Sequence, residues 1–208
     1  MSAEGGRPVL SVVIPTLGRD LLIQTLKSLA NAEGFDGIEI IVAGRIPDPD
    51  VAERLRAFCG AHAKVRHLDI QFASGDSSRK KNAGAAAAAA PLIAFLDDDV
   101  VVAPDWPRRI VEPFADNGVG LASGPSLVPD DLNVVARLAG LALSSRAAGY
   151  VAERYRRNRD TSYAIDWDRV IGCNAVYRRK AFDAMGGFPP DFYPGEEMIA
   201  AFRTEQAG

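Results

Sequence analysis

Residues 92 to 96 read Leu-Ile-Ala-Phe-Leu, five apolar side chains in succession, and Asp97, Asp98 and Asp99 follow without a spacer. A strand with no polar alternation has no face to offer water, so it belongs inside a sheet that is covered on both sides. Three segments ahead of it carry a related signal: "VLSVVIP" at 9 to 15, "IEIIVA" at 38 to 43 and the shorter "KVRHLDI" at 64 to 70. Helical patterns separate them. Asp20 stands as N-cap before Leu22, Leu26 and Leu29, which share one helix face. Asp48-Pro49 supplies an N-cap and an N1 proline before Val51, Leu55 and Phe58, and the Ala-rich run from Ser77 to Ala90 favours helix. Strands that alternate with helices predict an α/β fold: a Rossmann-like, doubly wound, mostly parallel sheet flanked by helices. After residue 100 the pattern loosens. "VGLASG" at 119 to 124 and "IGCNAVYRR" at 171 to 179 read as strands, and residues 132 to 147 as an apolar helix before the charged "ERYRRNRD".

A chain of 208 residues suits one α/β domain with a real core. Its net charge of -3 gives no electrostatic footprint for nucleic acid or for anionic membranes in general. Cys59 and Cys173 lie far apart, which fits a reducing compartment better than a disulfide framework. The start "MSAEGGRPVL" has no apolar signal core, and the stretch "AGAAAAAAPLIAFL" is too short and too Ala-rich to span a bilayer. A cytoplasmic location is the expectation.

Carboxylates crowded at the end of a buried strand repel one another and resist desolvation, so the triplet calls for a cation. In an open parallel sheet, ligands sit beyond the carboxyl ends of the strands, which is where the triplet falls. If the chain stays extended, Asp97 and Asp99 share one face and Asp98 takes the other. Hard cations such as Mg²⁺ or Mn²⁺ accept one or two protein carboxylates together with substrate phosphates. Two other readings stand beside this one. Aspartates favour the turn after a strand, and Asp97-x-Asp99-x-Val101 also resembles the opening motif of haloacid-dehalogenase-type phosphatases, with Asp97 as nucleophile.

Four stretches together resemble a family 2 glycosyltransferase of the GT-A fold. They are "SVVIPTLGR" at 11 to 19, "RKKNAGAAAAA" at 79 to 89, "FLDDDVVVAPDW" at 95 to 106 and "GCNAVYRRKAFDAMGGFPPDFYPGEE" at 172 to 197. The resemblance implies inverting transfer of a sugar from a nucleotide-diphosphate donor to a glycan or lipid-linked acceptor, in polysaccharide or cell-envelope synthesis, with Mn²⁺ or Mg²⁺. It implies one catalytic domain over 1–208, with a nucleotide-sugar half at 1–105 and an acceptor-side half at 106–208. Asp97 and Asp99 match the outer residues of the Asp-x-Asp motif: Asp97 is placed at donor and metal, Asp99 at the metal, and Asp98 beside the donor. Pro15, Thr16 and Arg19 match the loop that lines the nucleotide pocket, and Lys81 and Asn82 occupy the family's Arg-Asn pair. Glu197 aligns with the catalytic base, and Glu196 beside it is the second candidate. Gly172, Cys173 and Asn174 match the strand facing donor and acceptor. Cys173 also reads as a buried small residue, and Trp106 either stacks on the acceptor or packs on the core. Arg79 and Lys80 read equally well as a solvated basic helix end. His62 and His67 read as structural.

The sequence departs from the family pattern in three places. Where many relatives carry an Asp that reads the nucleotide base, this chain has Ala43 and Gly44. Glu197 replaces the usual Asp, and the chain stops soon after Arg203, as a very short member or a fragment would. The apolar "VVARLAGLALSSRAAG" at 134 to 149 is expected to pack in the core or against a second copy, with peripheral contact at the inner face of a membrane as the lesser alternative.

Overall fold

The computed structural model of the protein describes residues 6–73, 76–129, 132–157, 167–192 and 194–207. One six-stranded sheet organises them, in the order β3-β2-β1-β4-β6-β5. Strands β1 (Leu10–Pro15), β2 (Ile38–Ala43), β3 (Val65–Leu68) and β4 (Leu92–Leu96) run parallel. Strand β6 (Asn174–Arg178) is antiparallel to β4, and β5 (Leu121–Ser123) is antiparallel to β6. The expected mostly parallel sheet is present, with one reversed strand inserted beside β4.

Period-two alternation sorts the sheet into two layers. On one face Leu10, Val12 and Ile14 join Ile38, Ile40, Val42 and Ala94 against Leu22, Leu26 and Leu29 of α1 (Leu21–Ala30) and Leu55 of α2 (Pro49–Ala61). Trp106 and Ile110 of α4 (Trp106–Val111) close that layer. The opposite face sets Val13, Ile93, Phe95 and Tyr177 against α3 (Asp76–Ala87), α6 (Arg179–Met185) and α7 (Glu196–Gln206), through Ala85, Phe182, Met185, Ala200 and Ala201. Phe95, Tyr177, Phe182 and Phe188 pack there with ring centroids 4.8 to 5.9 Å apart.

The two expected caps differ. Asp48 caps α2, accepting from Asp50 N at 2.8 Å and Val51 N at 3.2 Å. Asp20 precedes α1 but has helical dihedrals and makes no capping bond; its carboxylate pairs with Arg54 of α2 instead. The Ala-rich helix ends at Ala87, and residues 88–91 form the turn into β4.

The apolar helix α5 (Val134–Ser144) overturns the core-packing expectation. Gly140 is its only buried residue, while Val134, Val135, Leu138 and Leu141 are each more than half exposed. Beyond α5 a 3-10 segment runs from Arg146 to Tyr155; the end of "ERYRRNRD" lies outside the described residues. No helix among the described residues is long and apolar enough to cross a membrane.

Helix α3 lies unusually close to β1. A Cβ placed on Gly84 would sit 2.3 Å from Val13 Cγ1, inside van der Waals contact. Gly84→Ala is therefore expected to destabilise the fold by about 1–3 kcal/mol through overpacking. Urea denaturation measures this, and adding Val13→Ala should recover part of the loss.

Candidate active site

The aspartate triplet leaves β4 at the rim where β1 also ends, and its three members have different surroundings. Asp98 is 2% exposed. It accepts from Thr16 Oγ1 at 2.6 Å, Leu17 N at 3.2 Å and Arg19 Nε at 3.1 Å, with Arg19 Nη2 in a second, shorter contact. The loop after β1 is thus folded around the Asp98 carboxylate, and Gly18 N donates to Thr16 Oγ1 to close it. Gly18 holds φ +79°, which favours glycine. Pro15 ends β1 opposite Ala43, and the Thr16 carbonyl lies where a Cβ on Gly44 would reach 2.2 Å. At Gly44, the second of the two residues that depart from the family pattern there, the backbone thus leaves no room for a side chain, whereas Ala43 carries one.

Asp99 faces solvent and pairs with Arg19 Nη1 at 3.1 Å. Asp97 is half-buried and, among the described residues, accepts no hydrogen bond and forms no ion pair. Burial pushes its pKa up, Lys81 counters this, and Asp99 adds to the rise. An unpartnered, partly desolvated carboxylate beside an exposed one fits a hard cation, which needs only one or two protein oxygens. Among the described residues no three metal-ligating side chains cluster, so any such ion would draw its remaining oxygens from elsewhere.

Helix α3 supplies the positive charge. Lys80 and Lys81 are both buried, contrary to the solvated helix end weighed for Lys80. Lys80 Nζ donates to Thr16 O at 2.8 Å and pairs with Asp76 one turn back. Lys81 Nζ lies 3.1 Å from Glu196 Oε1 and 5.0 Å from the centre of the Phe188 ring. Ser77 Oγ also donates to Glu196 Oε1, at 3.0 Å. Asn82 clamps the Phe188 backbone, donating to its carbonyl at 2.8 Å and accepting from its N–H at 2.9 Å. Asn82 is therefore engaged with the chain, and Lys81 with Glu196, in the places where the sequence put donor contacts.

The two glutamates of α7 separate clearly. Glu196 is 4% exposed; burial opposes its charge, yet Lys81 and the helix N-terminus hold its carboxyl below the usual range. Glu197 has an 18% exposed side chain, with Arg154 Nη1 at 4.0 Å. A Cβ on Gly172 would lie 3.3 Å from Glu197 Cβ, so that glycine gives the base candidate its space. Cys173 follows in the same turn, and Leu96 pairs with Asn174, so Asp97 and Cys173 flank each other across the two strands. Burial, then Asp97, push the Cys173 thiol up to about 11, which suits an inert side chain rather than a nucleophile.

Trp106 is 8% exposed and packed in the core, and its Nε1–H donates to Asn174 Oδ1 at 2.9 Å. That placement withdraws the stacking reading and engages Asn174, whose amide also donates to Pro125 O at 3.2 Å. His62 packs on Phe35 and Phe58, and His67 Nε2 meets Gly44 O at 2.7 Å. Sequence reasoning missed Ser77 and Arg154, and left Lys80 evenly weighed. The i,i+4 spacing of Asp76 and Lys80 was a usable signal for Lys80.

Replacing Lys81 by Met strands the Glu196 carboxylate and is expected to cost about 3 kcal/mol at neutral pH, measured by urea denaturation. Because the folded-state pKa of Glu196 is depressed, its contribution is complete above its ordinary 4.5 and fades as pH falls through the lowered native value. The stability difference between the wild type and Glu196→Gln should shrink accordingly in denaturation series on the acid side.

Comparison with known proteins places this architecture. The profile described as glycosyl transferase family 2 matches residues 11–186. The uncharacterized protein y4gI of Sinorhizobium fredii (strain NBRC 101917 / NGR234) is 28% identical over 197 residues, covering 88% of this chain and 21% of that protein. The O-antigen chain rhamnosyltransferase WbaN of Salmonella anatum is 29% identical over 119 residues, 56% of this chain and 36% of that protein. Among solved structures, the mannosyltransferase PcManGT from Pyrobaculum calidifontis, in complex with GDP-Man and Mn²⁺, superposes with a TM-score of 0.65 at 19% identity over 93% of this chain and 51% of that one. S. aureus TarS 1-349 in complex with UDP-GlcNAc gives 0.68 at 12% identity over 95% and 53%. This chain thus spans about half the length of those solved chains and about a third or less of the two curated relatives. The fold is that of the GT-A glycosyltransferases, and with the family match over most of its length, the chain belongs to glycosyl transferase family 2.

Proposed function

We propose that residues 1–208 form the catalytic domain of a metal-dependent, inverting glycosyltransferase, with a donor half at 1–105 and an acceptor half at 106–208. One observation carries this reading: Asp97 flanks Cys173 across β4 and β6, and Gly172 packs against Glu197, so a carboxylate suited to a cation and a mostly buried carboxylate that faces Arg154 rather than a lysine stand along one rim. The donor is a nucleotide-diphosphate sugar, as in the complexes of PcManGT with GDP-Man and of TarS with UDP-GlcNAc. The acceptor is a hydroxyl of a glycan or a lipid-linked carrier in polysaccharide or cell-envelope synthesis, in keeping with the likeness to an O-antigen chain rhamnosyltransferase. The exposed apolar side of α5 supports the peripheral contact with the inner face of a membrane that a lipid-linked acceptor requires.

Asp97 and Asp99 hold the Mn²⁺ or Mg²⁺. When bound, the ion supplies Lewis-acid stabilisation of the charge that develops on the departing diphosphate. The loop of Pro15, Thr16 and Arg19, shaped by Asp98, borders the nucleotide, and Gly172, Cys173 and Asn174 border the sugar. Glu197 takes the acceptor hydroxyl proton as the new glycosidic bond forms on the face opposite the leaving group. Glu196, already neutralised by Lys81, sets the first turn of α7 and takes no proton. The aspartyl-phosphate chemistry considered for Asp97 has lost its ground, because three β-α units precede the triplet in a family 2 chain.

Calorimetric titration of UDP-, GDP- and dTDP-sugars, with and without Mn²⁺, tests the donor class. Asp99→Ala is expected to remove the metal-dependent part of that binding, and metal dependence that survives the change counts against the assignment. Glu197→Gln should leave donor affinity within about twofold and lower turnover by about 10²-fold or more. Undiminished turnover would move the base elsewhere, and a chain that binds donors without transferring sugar under any condition would be a non-catalytic relative.

A further inference from the structure

We propose that Arg19 is an exchangeable counter-ion: its guanidinium keeps Asp99 from a divalent cation until a donor diphosphate replaces Asp99 on Nη1, so metal and nucleoside diphosphate enter as linked ligands. The proposal rests on the reading of Asp97 and Asp99 as the metal-holding pair. One guanidinium serves two carboxylates in different settings. Asp98 is buried and also receives Thr16 Oγ1 and Leu17 N, so its grip on Arg19 Nε and Nη2 is supported from several sides. Asp99 has a 40% exposed side chain, and among the described residues Arg19 Nη1, at 3.1 Å, is its only ion-pair partner.

A divalent ion needs the Asp99 lone pairs that this guanidinium shares, and the guanidinium charge repels the ion at short range. The guanidinium is rigid, so with Nε and Nη2 held on Asp98 the Nη1 contact parts by rotation of Asp99, whose side chain is 40% exposed. Phosphate oxygens are the natural destination, since a planar guanidinium donates to them in pairs. A diphosphate that takes Nη1 frees Asp99 for the ion, and an ion on Asp99 frees Nη1 for the diphosphate. Linkage requires the two effects to be equal.

The test titrates Mn²⁺ alone into the full chain, followed by loss of the free-ion paramagnetic resonance signal, for the wild type, Arg19→Gln, Arg19→Lys and the double variant Arg19→Gln/Asp99→Asn. Arg19→Gln is expected to bind Mn²⁺ about tenfold tighter than the wild type, through removal of a neighbouring positive charge. The gain should vanish in the double variant. In the presence of saturating Mn²⁺ the same Arg19→Gln should bind GDP or UDP more weakly. Opposite changes for metal and nucleotide separate exchange from a structural role, which would lower both. Should Arg19→Gln fail to fold by circular dichroism, Arg19→Lys carries the test, because a shorter side chain with a single nitrogen that stays on the buried Asp98 reaches Asp99 less; its Mn²⁺ binding should tighten about threefold. Equal Mn²⁺ affinity in the wild type and the folded variant, or a gain that survives Asp99→Asn, overturns the proposal. Absence of GDP and UDP binding in every variant overturns the donor reading instead.

Discussion

Two successive ammonium groups lie beneath the surface of α3, and each has to find an acceptor or lose its charge. Adjacent residues on a helix diverge by about 100°, so Lys80 and Lys81 reach to different neighbours. Lys80 holds the Thr16 carbonyl on the loop after β1, and Lys81 holds Glu196 at the start of α7. The helix therefore spaces the loop that carries Arg19 against the turn that carries Glu197. Ser77, Ser78 and Asn82 add bonds to Glu196, Pro189 and Phe188 along the same face. This rim is assembled around charges that cannot be left unanswered.

The parallel part of the sheet was legible because its signals are local. The strands at 10–15, 38–43 and 92–96 follow continuous β-branched or apolar runs, and Asp48-Pro49 announces a helix start that the structure uses. Asp20 shows where local reading stops: Arg54, remote in sequence, takes the carboxylate that would have capped α1. The same holds for Lys80, whose burial depends on a carbonyl in another β-α unit, and for Trp106, whose indole finds Asn174. For α5 the apolar composition was visible, but its exposure was not, since periodicity reports a face and not what lies against it.

The candidate site divides along similar lines. Its acidic residues were nameable because Asp97–Asp99 and Glu196–Glu197 are contiguous runs in a recognisable order. Their division of labour was hidden. Alternation set Asp98 apart from its neighbours, but only the folded loop shows Thr16, Leu17 and Arg19 gathered around it. Likewise, nothing local distinguishes Glu196 from Glu197; a lysine more than a hundred residues earlier does so, by occupying one and leaving the other.

The reversed direction of β6 has a consequence for how such a fold can diversify. Strand β5 ends at Ser123 and β6 begins at Asn174, both on the edge that carries the aspartates. The chain between them leaves that edge and returns to it, carrying α5 and Arg154, while the sheet pairings are complete without it. An excursion anchored at neighbouring points can be lengthened, shortened or exchanged without shifting the register of any strand. A change in what stands on that rim can thus arise by swapping a cassette, with the six-stranded sheet inherited unchanged.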